Sequence, residues 1–302
     1  MDALLHVSEE VSTAVAERRP VVALESSLIT TDPSSETASL IEKAVRDAGA
    51  VPATIGIADG RLVVGLEAEL IERFAAGKGI PKISARDIGA ALARGGLGAT
   101  TVAGTIVIAE RAGIEVFATA GIGGAHRRAQ QTFDISPDLL QFTRSTVAVV
   151  SAGAKSVLDA RLTAEYLETA GVPVLGYGTD RLPGFVVRAL DVPVTRVDDL
   201  AEAARAARLH WQVNSVGTVL LMAPVAAEDA LDGTEVERVI EQALAEADAA
   251  RVVGNAVSPF LMRALAKGTH GGAARAGRSA LLSTARVAGE FAVSLSATPA
   301  ES

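Results

Sequence analysis

The chain has 302 residues, 49% of them hydrophobic and 21% charged, with a formal net charge of −8. That balance excludes a disordered chain, and acidity with only 3% aromatics argues against a nucleic-acid partner. The absence of cysteine excludes disulfides, thiolate zinc sites and a cysteine nucleophile.

The first ten residues lack a basic segment followed by a long apolar one, so the expectation is a cytoplasmic protein. The longest uncharged stretch, 209–227, holds His210, Gln212, Asn214 and Pro224. It is too polar to span a membrane and reads as a strand with flanking turns.

In chain order, 20–24 reads as a buried strand ending at Glu25, and 36–48 as a helix stopped by Gly49. Segments 53–57 and 61–65 flank Asp59-Gly60, a hairpin signal that gives the sheet an antiparallel element. A helix near 67–76 precedes Lys82-Ile83-Ser84, a helix over 86–94, and a run 98–101 leading into a helix that ends at 112. The strand 116–119 opens onto the glycine-dense Gly121-Ile-Gly-Gly-Ala-His126-Arg127-Arg128. A strand over 147–150 gives way to Ser151-Ala-Gly-Ala-Lys155-Ser156 and a helix over 157–169. Further strands at 172–177 and 218–222, a helix over 235–250, and a loop with a closing helix in the last 30 residues complete the chain. This alternation predicts a layered α/β fold with a mixed sheet, in a single catalytic domain over 1–302.

Lys155 is placed between a strand end and a helix start, and both partial burial and a helix N-terminus disfavour an ammonium. A neutral amine there forms a Schiff base with an aldehyde; a surface lysine is the equally weighted alternative. Glu25, directly after four apolar residues, needs a partner or a function at the sheet rim. Lys82 and Arg86, beside Ser84 and Asp87 ahead of a helix, suit a phosphate. The glycine loop before His126 lets backbone approach an anion closely, although such loops more often only turn. Asp134, near Ser136 and Asp138, is a candidate ligand for a hard divalent cation otherwise held by water. HExxH, GxxxxGK[ST] and GxSxG are absent, which disfavours zincins, P-loop NTPases and the common serine hydrolases.

Taken together, Ala23-Leu-Glu25-Ser26-Ser27, Lys82-Ile-Ser84, Ala99-Thr-Thr-Val102, Gly121-Ile-Gly-Gly124, Thr132-Phe-Asp-Ile-Ser136 and Ala152-Gly-Ala-Lys155 resemble the motifs of the pseudouridine-5'-phosphate glycosidase family. The match is ordered along roughly residues 20 to 262. The resemblance implies a three-layer α/β/α fold, a homotrimer, and making or breaking of the carbon–carbon bond between C1' of ribose 5-phosphate and an aglycone, assisted by manganese. It implies that Lys155 is the nucleophile, Glu25 the proton donor, and Asp134 the Mn2+ ligand. Substrate contacts fall on Lys82, Thr101, Val102, His126, Ser136, Pro137 and Asp138.

The chain departs from the family pattern in a shorter loop at 30–35, in Ser215-Val216-Gly217-Thr218 where the family has Leu-Asn-Gly-Gly, and in Gly277 and Ser283-Thr284 where asparagines are usual. Buried polar groups of a uracil left unpaired cost about 1–3 kcal/mol each. The expectation is therefore a C-glycosynthase joining ribose 5-phosphate to a carbon-nucleophile acceptor other than uracil. The alternatives are a pseudouridine-5'-phosphate glycosidase releasing uracil and a sugar-phosphate-binding protein without turnover.

Overall fold

The segment Val21–Glu25 is buried along all five residues, as a strand covered on both faces must be. The computed structural model describes residues 3–31 and 35–298. Its strands are β1 (Leu5–Val7), β2 (Val21–Glu25), β3 (Val51–Ala58), β4 (Arg61–Val64), β5 (Lys82–Ile83), β6 (Leu97–Thr100), β7 (Val116–Ala118), β8 (Ala148–Ser151), β9 (Val174–Tyr177), β10 (Thr195–Val197) and β11 (Leu220–Met222). They form one sheet in the order β1-β4-β3-β2-β7-β8-β11-β9-β10, and β6 pairs with both β3 and β5.

The sheet is mixed. β3 runs antiparallel to β4 through the Asp59-Gly60 turn and antiparallel to β6, while the strands from β3 across to β10 are parallel. Helices cover both faces, giving the expected three layers. Helix Gly272–Ala297 packs on helices Glu36–Asp47 and Leu200–Asn214 and on β2, β7 and β8, while helix Val102–Arg111 packs on β2, β3, β7 and helix Pro137–Phe142. No helix of the described residues is long and apolar enough to cross a membrane.

Three local readings are corrected. The helix expected from 157 begins at Ala160, because Asp159 is its N-cap and accepts from Leu162 N at 2.9 Å. Lys155 therefore lies in the turn ahead of the helix and not at its dipole. Residues 209–214 close helix Leu200–Asn214 and are not strand, so β11 starts only at Leu220. The alanine-rich end is one 26-residue helix, with no loop between Gly272 and Ala297; alanine's helix propensity outweighs its scattered glycines and serines.

Glu42, on helix Glu36–Asp47, accepts the Thr54 hydroxyl of β3. Burial pushes its carboxyl above the ordinary range, against that hydrogen bond and the nearby Arg46. A carboxyl raised on folding contributes stability below its unfolded value, and that contribution is lost as pH rises through the folded one. Glu42→Gln keeps an acceptor for Thr54 and removes the charge. Its melting temperature is expected to exceed the parent's at pH 8 and to match it near pH 4; equal shifts at both pH values would refute this assignment.

Candidate active site

Parallel pairing places the ends of three strands side by side. Leu24 of β2 pairs with Ala118 of β7, and Ala118 pairs with Val150 of β8, so Glu25, Thr119 and Ser151 stand in a row at the carboxyl edge of the sheet. Open α/β sheets build ligand sites at this edge. The pairing continues past the strands: Ile122 N donates to Gly153 O at 3.0 Å and Lys155 N to Ile122 O at 3.1 Å. These bonds fix the backbone that carries Lys155.

Glu25 is buried, and both of its carboxylate oxygens are engaged. Thr119 Oγ1 donates to Oε1 at 2.7 Å and Ser27 Oγ to Oε2 at 2.6 Å. The two hydroxyls satisfy a carboxylate that apolar surroundings would otherwise penalise. Beneath it runs a chain of buried hydroxyls: Thr105 donates to Thr100 Oγ1, Thr100 donates to Ile55 O, and Ser26 Oγ lies 3.3 Å from Thr100 Oγ1. Residue identity alone did not reveal the part played by Thr119 and Ser27. Strand register would have found Thr119, because it lies directly beside Glu25.

Asp138 is only 6% exposed. Its carboxylate accepts Gly123 N at 2.8 Å and Ala103 N at 3.1 Å. A Cβ on Gly123 would lie 2.6 Å from Asp138 Oδ2 and 2.1 Å from Ser136 Oγ, so only glycine lets these groups meet. Burial pushes the Asp138 carboxyl up; the Lys155 ammonium and the two backbone N–H donors pull it back, and the charge on Glu25 pushes with the burial. Lys155, Asp138 and Glu25 thus share one electrostatic environment.

Several of the substrate candidates are tied to this centre by backbone contacts. Ser136 caps helix Pro137–Phe142 by accepting Asp138 N, with Pro137 in the first turn. Thr101 N donates to Ile83 O at 3.0 Å, and Val102, buried, begins the helix whose Ala103 N holds Asp138. That contact brings β5, and with it the exposed Lys82, against the same helix start. Arg86, also exposed, lies beside Asp87 at 3.5 Å.

His126 and Asp134 form a separate pair. His126 Nδ1 is 3.7 Å from Asp134 Oδ2, and its Nε2 is 3.1 Å from Ser258 Oγ. No group of three or more His, Asp or Glu side chains able to hold a metal ion exists among the described residues. One half-exposed carboxylate suits a hydrated hard cation and not a dedicated protein cage. A cavity of about 320 Å³, lined by Lys155, Ser156, Arg127, Arg161, Glu237 and others, borders the lysine's turn.

The places where the sequence departs from the family pattern do not all reach the site. Ser215–Thr218 leads into the amino end of β11, where Thr218 N donates to Phe142 O at 2.7 Å. Because β11 runs parallel to β8, this stretch lies at the edge of the sheet opposite Lys155. Thr284 is fully buried and its hydroxyl turns back to Leu281 O at 3.0 Å. Of the 30–35 loop, residues 32–34 fall outside the described residues, and Thr30 Oγ1 donates to Ser27 O at 2.8 Å. Gly277 lies on helix Gly272–Ala297, where a Cβ would meet only the Phe185 ring, at 3.5 Å and beyond.

The carboxyl edge of this sheet thus carries a buried, hydroxyl-held glutamate and, two strands away, the turn that bears Lys155, an α/β arrangement open to carbonyl or glycosyl chemistry. Comparison with known proteins agrees. The family model described as "Indigoidine synthase A like protein" matches residues 10–294, and the chain belongs to that family. It is 49% identical over 294 residues, 96% of this chain and 93% of the relative, to a pseudouridine-5'-phosphate glycosidase of Dickeya dadantii. It is 44% identical to one from Caldanaerobacter subterraneus, covering 98% of each. Among solved structures it is similar to the prealnumycin C-glycosynthase AlnA in complex with ribulose 5-phosphate, with 73% identity, a TM-score of 0.96 and 98% of each chain covered. An indigoidine synthase A-like protein of Thermotoga maritima matches with 31% identity, a TM-score of 0.87 and 97% of each chain covered. The chain is an enzyme of this C-glycosidase type.

Proposed function

We infer that the protein is a C-glycosynthase that joins C1' of ribose 5-phosphate to a carbon-nucleophile acceptor other than uracil, through a Schiff base on Lys155. The observation that carries the reading is the row of strand ends that sets the hydroxyl-held Glu25 and the turn of Lys155 at one carboxyl edge of the sheet. The 73% identity to a C-glycosynthase favours synthesis over cleavage.

The open-chain aldehyde of ribose 5-phosphate condenses with the Lys155 amine and releases one water. The resulting iminium accepts the electron pair of the acceptor carbon, which loses its proton as the new C–C bond forms. The sugar's own hydroxyl then closes on C1' as the amine leaves. The net change is ribose 5-phosphate plus acceptor giving C-glycoside plus water. Carbon leaves poorly by protonation alone, so a lysine-bound electron sink is the more accessible route than ordinary glycoside hydrolysis. Glu25 moves the proton at the ring oxygen, and Ser27 and Thr119 hold its carboxylate in place. Asp138 supplies the negative charge against which Lys155 is oriented.

Lys82, Thr101 and Ser136 border the region assigned to the sugar phosphate, together with Val102 and Pro137. Asp134, with His126 behind it, would hold Mn2+ or another hard divalent cation, whose charge offsets that of the phosphate. Lys82→Ala is expected to raise the KM for ribose 5-phosphate about tenfold with a smaller effect on kcat, the loss of one charge-assisted hydrogen bond at an exposed position. An unchanged KM would remove Lys82 from the phosphate site.

The deciding experiment incubates the protein and Mn2+ with pseudouridine 5'-phosphate, and separately with ribose 5-phosphate and borohydride. A trapped adduct on Lys155 without uracil release supports the synthase reading. Rapid uracil release identifies a pseudouridine-5'-phosphate glycosidase, and absence of both identifies a sugar-phosphate binder.

A further inference from the structure

The glycine-rich segment 121–126 joins the two halves of the site. Toward the lysine, Ile122 N donates to Gly153 O at 3.0 Å, and Ile122 O accepts Lys155 N at 3.1 Å. Toward helix Pro137–Phe142, Gly123 N donates to Asp138 Oδ2 at 2.8 Å, and Gly124 O accepts Ser136 N at 3.0 Å. The spacing between the Lys155 turn and the cap at Ser136–Asp138 therefore runs through one strip of backbone. Gly121, Gly123 and Gly124 bring it no side chain, and glycine loses more freedom on ordering than any other residue. Such a strip keeps one geometry only if something else fixes it.

One buried side chain does so. Thr163, on helix Ala160–Thr169, is 1% exposed. Its Oγ1 accepts Ala125 N at 3.0 Å and donates to Asp159 O at 2.6 Å. Asp159 N in turn donates to Ala125 O at 2.9 Å, so one helix start holds both backbone polar groups of Ala125. Thr163 also occupies the space that a side chain at 124 would take. A Cβ on Gly124 would overlap Thr163 Oγ1 and lie 2.9 Å from its Cγ2. A threonine hydroxyl turned back to the carbonyl four residues earlier is common on helices. The bond from Ala125 N is not of that local kind, because it ties the helix to the strip 38 residues away.

We propose that Thr163 is a positioning residue for the reaction of Lys155: through Ala125 and Gly124 it fixes the strip that spaces the lysine's turn from the cap at Ser136–Asp138, so that the amine meets C1' of a sugar phosphate seated against that cap. Reacting groups must be held close to their productive geometry by neighbours that are themselves locked, and Thr163 locks the strip without belonging to it. This proposal rests on the imine chemistry proposed above and adds to it a residue that does no chemistry of its own.

The test is single-turnover trapping: the Mn2+-loaded protein is mixed with ribose 5-phosphate and quenched with borohydride at increasing times, well below the melting temperature. Thr163→Val keeps the shape and removes the hydroxyl. Its rate of adduct formation at saturating ribose 5-phosphate is expected to fall about 10- to 100-fold, the usual effect of a misplaced reacting group, with the half-saturating concentration little changed. Thr163→Ser should return the rate to near the parent's. Gly124→Ala disturbs the same contact from the other side, and carries the test if Thr163→Val does not fold; its rate is expected to fall in the same way. A folded Thr163→Val that melts earlier but forms the adduct at the parent rate would make Thr163 a structural residue and overturn the proposal, as would a parent rate in folded Gly124→Ala or a slow Thr163→Ser. Absence of the adduct from the parent protein would instead overturn the imine reading itself.

Discussion

Lys155→Ala is expected to abolish the borohydride-trapped ribose 5-phosphate adduct and to lower turnover on the order of 10⁴-fold or more, as loss of a covalent nucleophile does elsewhere. The fold should survive, because the bonds that fix this turn, Lys155 N to Ile122 O and Leu158 N to Lys155 O, are made by backbone. The charge balance should not survive. The Lys155 ammonium opposes the upward push of burial on Asp138, so its removal drives that carboxyl further up. A carboxyl raised on folding gives stability that is present below its unfolded value and lost as pH rises through the folded one. Lys155→Ala should therefore lose more stability at pH 8 than at pH 5. Lys155→Arg separates the two effects, since it restores a cation and not a nucleophile able to form an imine. Its melting temperature should return toward the parent's at pH 8 while the adduct stays absent. An adduct persisting in Lys155→Ala would move the covalent chemistry to another amine.

That Glu25 and Lys155 come to one edge of the sheet could be read from the sequence because both follow strand ends. Glu25 after Val-Val-Ala-Leu and Lys155 after Val-Val-Ser-Ala-Gly-Ala are local patterns, and a parallel sheet brings such ends to one edge without any further information. The hairpin at Asp59-Gly60 and the mixed sheet were legible for the same local reason. What was not legible depends on partners distant in sequence. The role of Thr119 follows from the register of β2 on β7, and the burial of Asp138 from two backbone donors on separate elements. Helix Leu200–Asn214 was not read from the sequence at all; its last turns carry His210, Gln212 and Asn214, which look like turn residues, although Asn214 sits where the helix gives way to Ser215 at a φ of 65°.

Glu25→Gln is expected to cut kcat for C–C bond formation by about 10²–10⁴-fold, the usual contribution of a positioned acid–base group. The substitution is isosteric, and the Ser27 and Thr119 hydroxyls can rotate to accept from the amide as readily as they donate to the carboxylate, so the pocket needs no rearrangement. The sugar opens to its aldehyde in water without help, so imine formation on Lys155 needs Glu25 less than the later closing of the ring does. The variant should therefore still give the borohydride-trapped adduct while failing to complete the C-glycoside. Thr119→Val tests the support separately. It leaves one carboxylate oxygen without its donor, and a buried acceptor stripped of its partner costs about 1–3 kcal/mol. If Thr119 only packs, stability falls and the kcat of folded enzyme holds; if it positions Glu25, kcat falls as well, and Thr119→Ser restores it. A Glu25→Gln enzyme with near-parent kcat would remove Glu25 from proton transfer and leave its two hydroxyl donors as a purely structural clasp.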